Sequence, residues 1–84
     1  MSEPKLTLYH FDSCPFCQRV RHAAHSLGLD IPLADIHASP QHRQELAEAR
    51  GRTTVPVLKI EDGDHTTWLP ESADIVRYLQ AKYA

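Results

Sequence analysis

The chain has 84 residues, 42% of them hydrophobic and 24% charged, with a formal net charge of −2. This is enough for one small domain with a modest core, residues 1–84, and the balance excludes a disordered chain. The charge offers no basic field for nucleic acid, and no apolar run approaches the length of a membrane span.

Met1 to Lys5 carries no signal-peptide pattern, so the expected compartment is the cytoplasm, where thiols stay reduced. Lys5 to His10 (KLTLYH) alternates Leu6 and Leu8 with Thr7 and Tyr9, the period of a strand. From Pro15 to Leu27, Phe16, Cys17, Val20, Ala24 and Leu27 fall at helical spacing, with Gln18, Arg19, His22 and His25 on the other face. Gly28 stands where a C-terminal glycine cap belongs. Ile31 to Ile36 is a second strand, which Pro32 weakens or moves to a sheet edge. Ser39 and Pro40 supply an N-cap and a first-turn proline for a helix from Gln41 to Arg50 that ends at Gly51. That helix has few apolar residues and is expected to be mostly exposed.

Val55 to Glu61 is a third strand, and Asp62-Gly63 signals a hairpin returning through His65 to Leu69. Pro70-Glu71-Ser72 opens a last helix with Ile75, Val76 and Leu79 turned inward. The order is β-α-β-α-β-β-α. Its first βαβ unit implies parallel strands, and its tight hairpin implies an antiparallel pair.

Both cysteines lie in Asp12-Ser13-Cys14-Pro15-Phe16-Cys17. Cys14 falls at the start of the first helix and Pro15 at its first position. Free backbone N–H groups and the positive end of the helix dipole favour a thiolate there. Arg19 and Arg21 add favourable charge, and Asp12 opposes it. Cys17 lies one turn further in, on the apolar side and less exposed, which suits a resolving thiol. Half of a zinc site and a structural disulfide are the competing readings. Among the six histidines, His22 and His25 are three residues apart, but no second paired ligand motif stands at a fixed distance. The histidines are otherwise expected to be solvated surface residues.

Two further stretches carry chemistry. In Thr53-Thr54-Val55-Pro56, a proline entering a strand removes a backbone donor. A cis Val55–Pro56 bond would turn the Val55 backbone outward to pair with an extended peptide. Glu71-Ser72 joins a carboxylate and a hydroxyl to the free N–H groups of a helix start, which suits an amino-acid head group. The same residues also suit simple helix capping.

CPFC after a strand, TVP further along and a terminal helix together resemble glutaredoxins, within the thioredoxin-like fold. The tail LPESADIVRYL is instead similar to the N-terminal domain of glutathione transferases. The combination most resembles the N-terminal half of two-domain, transferase-like bacterial glutaredoxins, over Lys5 to Tyr83. The resemblance implies an α/β thioredoxin-like domain with a four-stranded mixed sheet flanked by three helices. It implies a glutathione-dependent thiol–disulfide oxidoreductase acting on glutathionylated or disulfide-containing proteins. Glutathione would be the cosubstrate and no metal would be needed. Cys14 would be the nucleophile and Cys17 would resolve. Val55 would pair with the tripeptide backbone with Pro56 cis, and Glu71 and Ser72 would hold the γ-glutamyl end.

Many glutaredoxins carry a lysine three residues before the first cysteine, near the glycine carboxylate of glutathione. Phe11 stands there, so Arg52 or a residue of the second helix would substitute. Tyr9, Phe11 and Phe16 would shape an open surface for substrates, although Tyr9 and Phe16 suit the core equally well. A thioredoxin-like reductase, a glutathione- or partner-binding module without turnover and an iron–sulfur carrier are the rivals. A monomer is expected.

Overall fold

The computed structural model describes residues 4–83. Four strands form one sheet: β1 (Lys5–His10), β2 (Leu33–Asp35), β3 (Val57–Asp62) and β4 (His65–Pro70). Three helices join them: α1 (Pro15–Ser26), α2 (Pro40–Arg50) and α3 (Ser72–Tyr83). The sheet order is β2-β1-β3-β4. β1 and β2 run parallel, while β3 is antiparallel to both β1 and β4. This is the mixed thioredoxin-like sheet and element order expected from the sequence.

Strand periodicity divides the core in two, because successive side chains leave opposite faces of the sheet. Leu6 and Leu8 of β1 and Leu58 and Ile60 of β3 point to one face. There they meet Val20 and Ala24 of α1 and Ile75 and Leu79 of α3. Tyr9 and Val57 point to the other face, against Ala34, Ile36 and Leu46. Tyr9 is therefore core, buried like its Leu neighbours. Leu46 is the buried residue of α2, in keeping with the exposed helix expected there. The Tyr9 hydroxyl also donates to Glu45 Oε1 at 3.3 Å, tying α2 to the sheet. Burial first, and then the Glu45 carboxylate, push that phenol up to about 12.

Local signals explain most boundaries. At the end of α1, Leu29 N–H donates to Ala24 C=O and Gly28 N–H to His25 C=O. This crossed pair requires a left-handed residue, and Gly28 has φ 72°. β2 is shorter than Ile31 to Ile36 and lies at the sheet edge. Pro32 cannot donate, but its C=O accepts from Leu8 N–H at 2.9 Å. In the hairpin, Asp62 pairs with His65, so the turn residues are Gly63 and Asp64. Gly63 occupies the first of these with φ 61°, the geometry of a type II′ turn.

Two expectations need correction. Ser39 precedes α2 and Pro40 begins it, but the Ser39 side chain makes no capping hydrogen bond. Asp35 orders this turn instead, its Oδ1 accepting from His37 N–H and Ala38 N–H at 2.8 and 3.0 Å. Phe16, placed on the apolar face of α1 by spacing, is 56% exposed. The apolar face runs through Cys17, Val20 and Ala24, one position later.

Leu58 is fully buried at the centre of the sheet, whereas Leu33 is an exposed hydrophobe on the edge strand. Leu58→Ala is expected to destabilise the fold by about 2–5 kcal/mol, and Leu33→Ala by about 0.5 kcal/mol or less. Denaturant midpoints check this, and equal losses would contradict the two-faced core.

Candidate active site

The strand register brings three segments to one end of the sheet. β1 ends at His10 and leads into the loop carrying Cys14. Because β3 is antiparallel to β1, its first residue lies beside the end of β1, with Tyr9 opposite Val57. Val57 in turn faces Pro70, the last residue of β4. Thus the Cys14 loop, Val55-Pro56 and Glu71-Ser72 emerge side by side.

Cys14 is the N-cap residue of α1, in extended conformation, with Pro15 following at the first helical position. Its Sγ accepts from Cys17 N–H at 3.3 Å, the role a serine or threonine oxygen commonly plays at a helix start. Phe11 C=O receives Cys14 N–H at 3.1 Å, and Cys14 C=O receives Gln18 N–H at 3.0 Å. Gln18 Nε2 closes the loop by donating to Asp12 C=O at 2.8 Å. No acidic residue occupies the first turn of α1, so the dipole end at Cys14 is not neutralised from within the helix. Of the two arginines considered, Arg21 is committed to Asp12 at 3.7 Å.

The two sulfurs are free thiols, 4% exposed at Cys14 and 0% at Cys17. The expected ranking holds, although both are deeper than a surface pair. Burial, and then the adjoining Cys14 sulfur, push the Cys17 thiol up to about 12. Cys17 is accordingly protonated at neutral pH.

Beside this turn lies a cavity of about 170 Å³. All five residues singled out for ligand binding line it: Arg52, Val55, Pro56, Glu71 and Ser72. The Val55–Pro56 peptide is cis. Val55 precedes the first paired residue of β3, so its backbone lies beyond the ladder. Glu71 has φ 71°, a sparsely populated conformation for a residue with a side chain. Its C=O accepts from Ile75 N–H at 3.0 Å, so helical bonding begins while Glu71 itself turns aside. Ser72 is buried at the first position of α3.

Four further residues line the cavity, and neither cysteine does; of the four, sequence reasoning places Phe16 at an open substrate surface but does not single out Arg50, Thr54 or Pro70. Phe16 reaches it from α1, Arg50 is the last residue of α2, Thr54 lies in the segment after it, and Pro70 ends β4. Arg50 Nε is buried without a hydrogen-bond partner. The signal was present as Arg50-Gly51-Arg52, where the helix-ending glycine lets both arginines flank one turn. Phe11 lines a separate cavity of about 450 Å³ with His37 and Arg43, its ring stacked on His37 at 4.3 Å. His22 and His25 are exposed, as expected, but His10 is buried to 2%.

Comparisons with known proteins agree with this architecture. Residues 8–84 match the family model described as glutathione S-transferase, N-terminal domain. A glutaredoxin of Pseudomonas aeruginosa is 33% identical over 57 residues, covering 68% of each chain. Mouse prostaglandin E synthase 2 is 35% identical over 78 residues, 90% of this chain but only 19% of the mouse protein. Among solved structures, glutaredoxin 2 of Salmonella typhimurium in complex with glutathione superposes with a TM-score of 0.74 at 29% identity. That match covers 93% of this chain and 33% of the Salmonella chain. No helix among the described residues is long and apolar enough to cross a membrane. The chain belongs to the glutathione S-transferase N-terminal domain family, thioredoxin-like in fold and homologous to glutaredoxins.

Proposed function

We propose that this chain is a dithiol glutaredoxin, a glutathione-dependent oxidoreductase that reduces mixed disulfides between glutathione and proteins or small thiols. The observation that carries the proposal is a helix-capping cysteine, backed by a buried second thiol, beside a cavity whose charges match glutathione. Glutathione bears two carboxylates and one ammonium. The cavity bears two guanidinium groups, Arg50 and Arg52, and one carboxylate, Glu71. Glu71 and the start of α3 at Ser72 hold the γ-glutamyl head, the carboxylate facing free helix N–H groups and the ammonium facing Glu71. The left-handed backbone at Glu71 fits this role, since such conformations cluster where ligands are clamped. The Val55 backbone pairs with the tripeptide, and Arg52 takes its glycine carboxylate.

The chemistry follows from the thiols. The Cys14 thiolate attacks the glutathione sulfur of a mixed disulfide. The S–S bond breaks, the substrate sulfur leaves as a thiolate and takes a proton from solvent, and Cys14 becomes glutathionylated. A second glutathione thiolate then attacks that adduct, releasing glutathione disulfide and the Cys14 thiolate. Alternatively Cys17 loses its proton, attacks Cys14 and expels glutathione, leaving an intramolecular disulfide that two glutathiones reduce. The burial that disfavours a Cys17 thiolate supports the first route for glutathione mixed disulfides.

The test is turnover of a small glutathione mixed disulfide coupled to glutathione reductase. Cys14→Ser is expected to abolish it, and Cys17→Ser to retain most of it. An inactive wild-type chain with free thiols would reject the proposal. Arg52 is exposed, so Arg52→Ala removes the guanidinium without opening the core. Its KM for glutathione is expected to rise by about tenfold with kcat little changed. An unchanged KM would take Arg52 out of the binding site.

A further inference from the structure

His10 is the one buried histidine among the described residues, and neither the fold nor the thiol chemistry explains it. It ends β1 on the sheet face that carries Leu6 and Leu8, yet it is polar. Its Nδ1 is buried with no hydrogen-bond partner, a state that carries a desolvation penalty. The parallel register places Asp35, the last residue of β2, directly beside it. Asp12, two residues further along, folds back over the same corner. One ring nitrogen of His10 and one carboxylate oxygen each of Asp12 and Asp35 lie within 4.8 Å of one another.

We propose that His10, Asp12 and Asp35 form a binding site for a divalent transition-metal ion under the Cys14 loop. The donor set is one imidazole and two carboxylates, which suits Mn²⁺ or Zn²⁺ and balances the charge of the ion. Ligands about 2.1 Å from such an ion sit roughly 3.4 Å apart, so a pair at the 4.8 Å limit closes by about 1.4 Å. Asp12 supplies that movement, because its side chain is 85% exposed and held only by the Arg21 pair at 3.7 Å. Asp35 is already oriented, its Oδ1 fixed by His37 N–H and Ala38 N–H. The other groups at this corner are Arg21, which an arriving ion displaces from Asp12, and the exposed His37.

The site adjoins the catalytic loop. His10 is followed by Phe11, whose C=O receives Cys14 N–H. A bound ion ties Asp12 to the ends of β1 and β2 and so braces the loop from Phe11 to Cys14. The proposal is independent of the glutathione reading, since none of its ligands lines the glutathione cavity.

Mn²⁺ is the probe, because it prefers oxygen and nitrogen donors and leaves the two thiols aside. The full chain is titrated with Mn²⁺ while amide proton–nitrogen spectra are recorded. Paramagnetic broadening is expected to begin at His10 to Asp12 and at Asp35 and Ile36, ahead of the Asp62–Asp64 turn, which is acidic but has no buried imidazole. Asp35→Asn keeps the oxygen that accepts from His37 and Ala38 but loses the charge, and Asp12→Asn alters only an exposed side chain. Each is expected to raise the Mn²⁺ concentration for half-broadening by about tenfold or more. Broadening spread evenly over surface carboxylates, or a focal response unchanged in both variants, would overturn the site.

Discussion

The N–H of Cys17 points at the sulfur of Cys14, 3.3 Å away, and the working end of the molecule is organised around that contact. It makes a cysteine do the work of a helix cap, so the Cys14 sulfur is held by the backbone rather than by a flexible side-chain partner. Pro15 fits the first helical position, where no N–H is needed. The second thiol then falls one turn further in, on the face that α1 must bury. One short segment thereby sets the helix start and the unequal burial of two chemically identical groups. Position separates the two: burial keeps Cys17 protonated, while Cys14 sits at the start of the helix.

The sheet supplies what that segment cannot. Tyr9, Val57 and Pro70 stand in register across β1, β3 and β4. That row fixes the spacing of the three loops and rests on a core buried on both faces. The side chains that line the cavity come from α1, from the end of α2 and the turn after it, from the entry to β3, and from the end of β4 into α3. None of these segments is a site alone. The helix start at Ser72 and the left-handed Glu71 become informative because a charged cavity opens beside them. The matched part of the Salmonella and mouse proteins is a minority of each.

Much of this was legible beforehand because the signals are local. Strand alternation, the capping glycine at Gly28, the proline after Cys14 and the hairpin glycine each act within a few residues. The element order follows from them. What failed to show was long-range. Whether Phe16 packs or faces solvent depends on which rotation of α1 the sheet accepts, and one position decides it. Tyr9 looked like the polar half of an alternating strand, but α2 covers that face, so both halves are core. Arg50 reads as an ordinary helix-end cation, but it ends α2 on the cavity wall. His10 gave no sign of burial, because the neighbours that enclose it, Asp35 and Arg21, are distant in sequence. The Ser39 side chain makes no cap, and Asp35 orders the turn before it through the N–H groups of His37 and Ala38.

The central claim is that Cys14 forms a disulfide with glutathione held in the adjoining cavity. The most direct measurement is mass spectrometric mapping of the Cys17→Ser chain after exposure to glutathione disulfide, with release by added glutathione followed in time. The account predicts a single glutathione adduct, located on Cys14, that forms readily and is removed by free glutathione. A chain that stays unmodified while its Cys14 thiol still reacts with a small alkylating agent would contradict it.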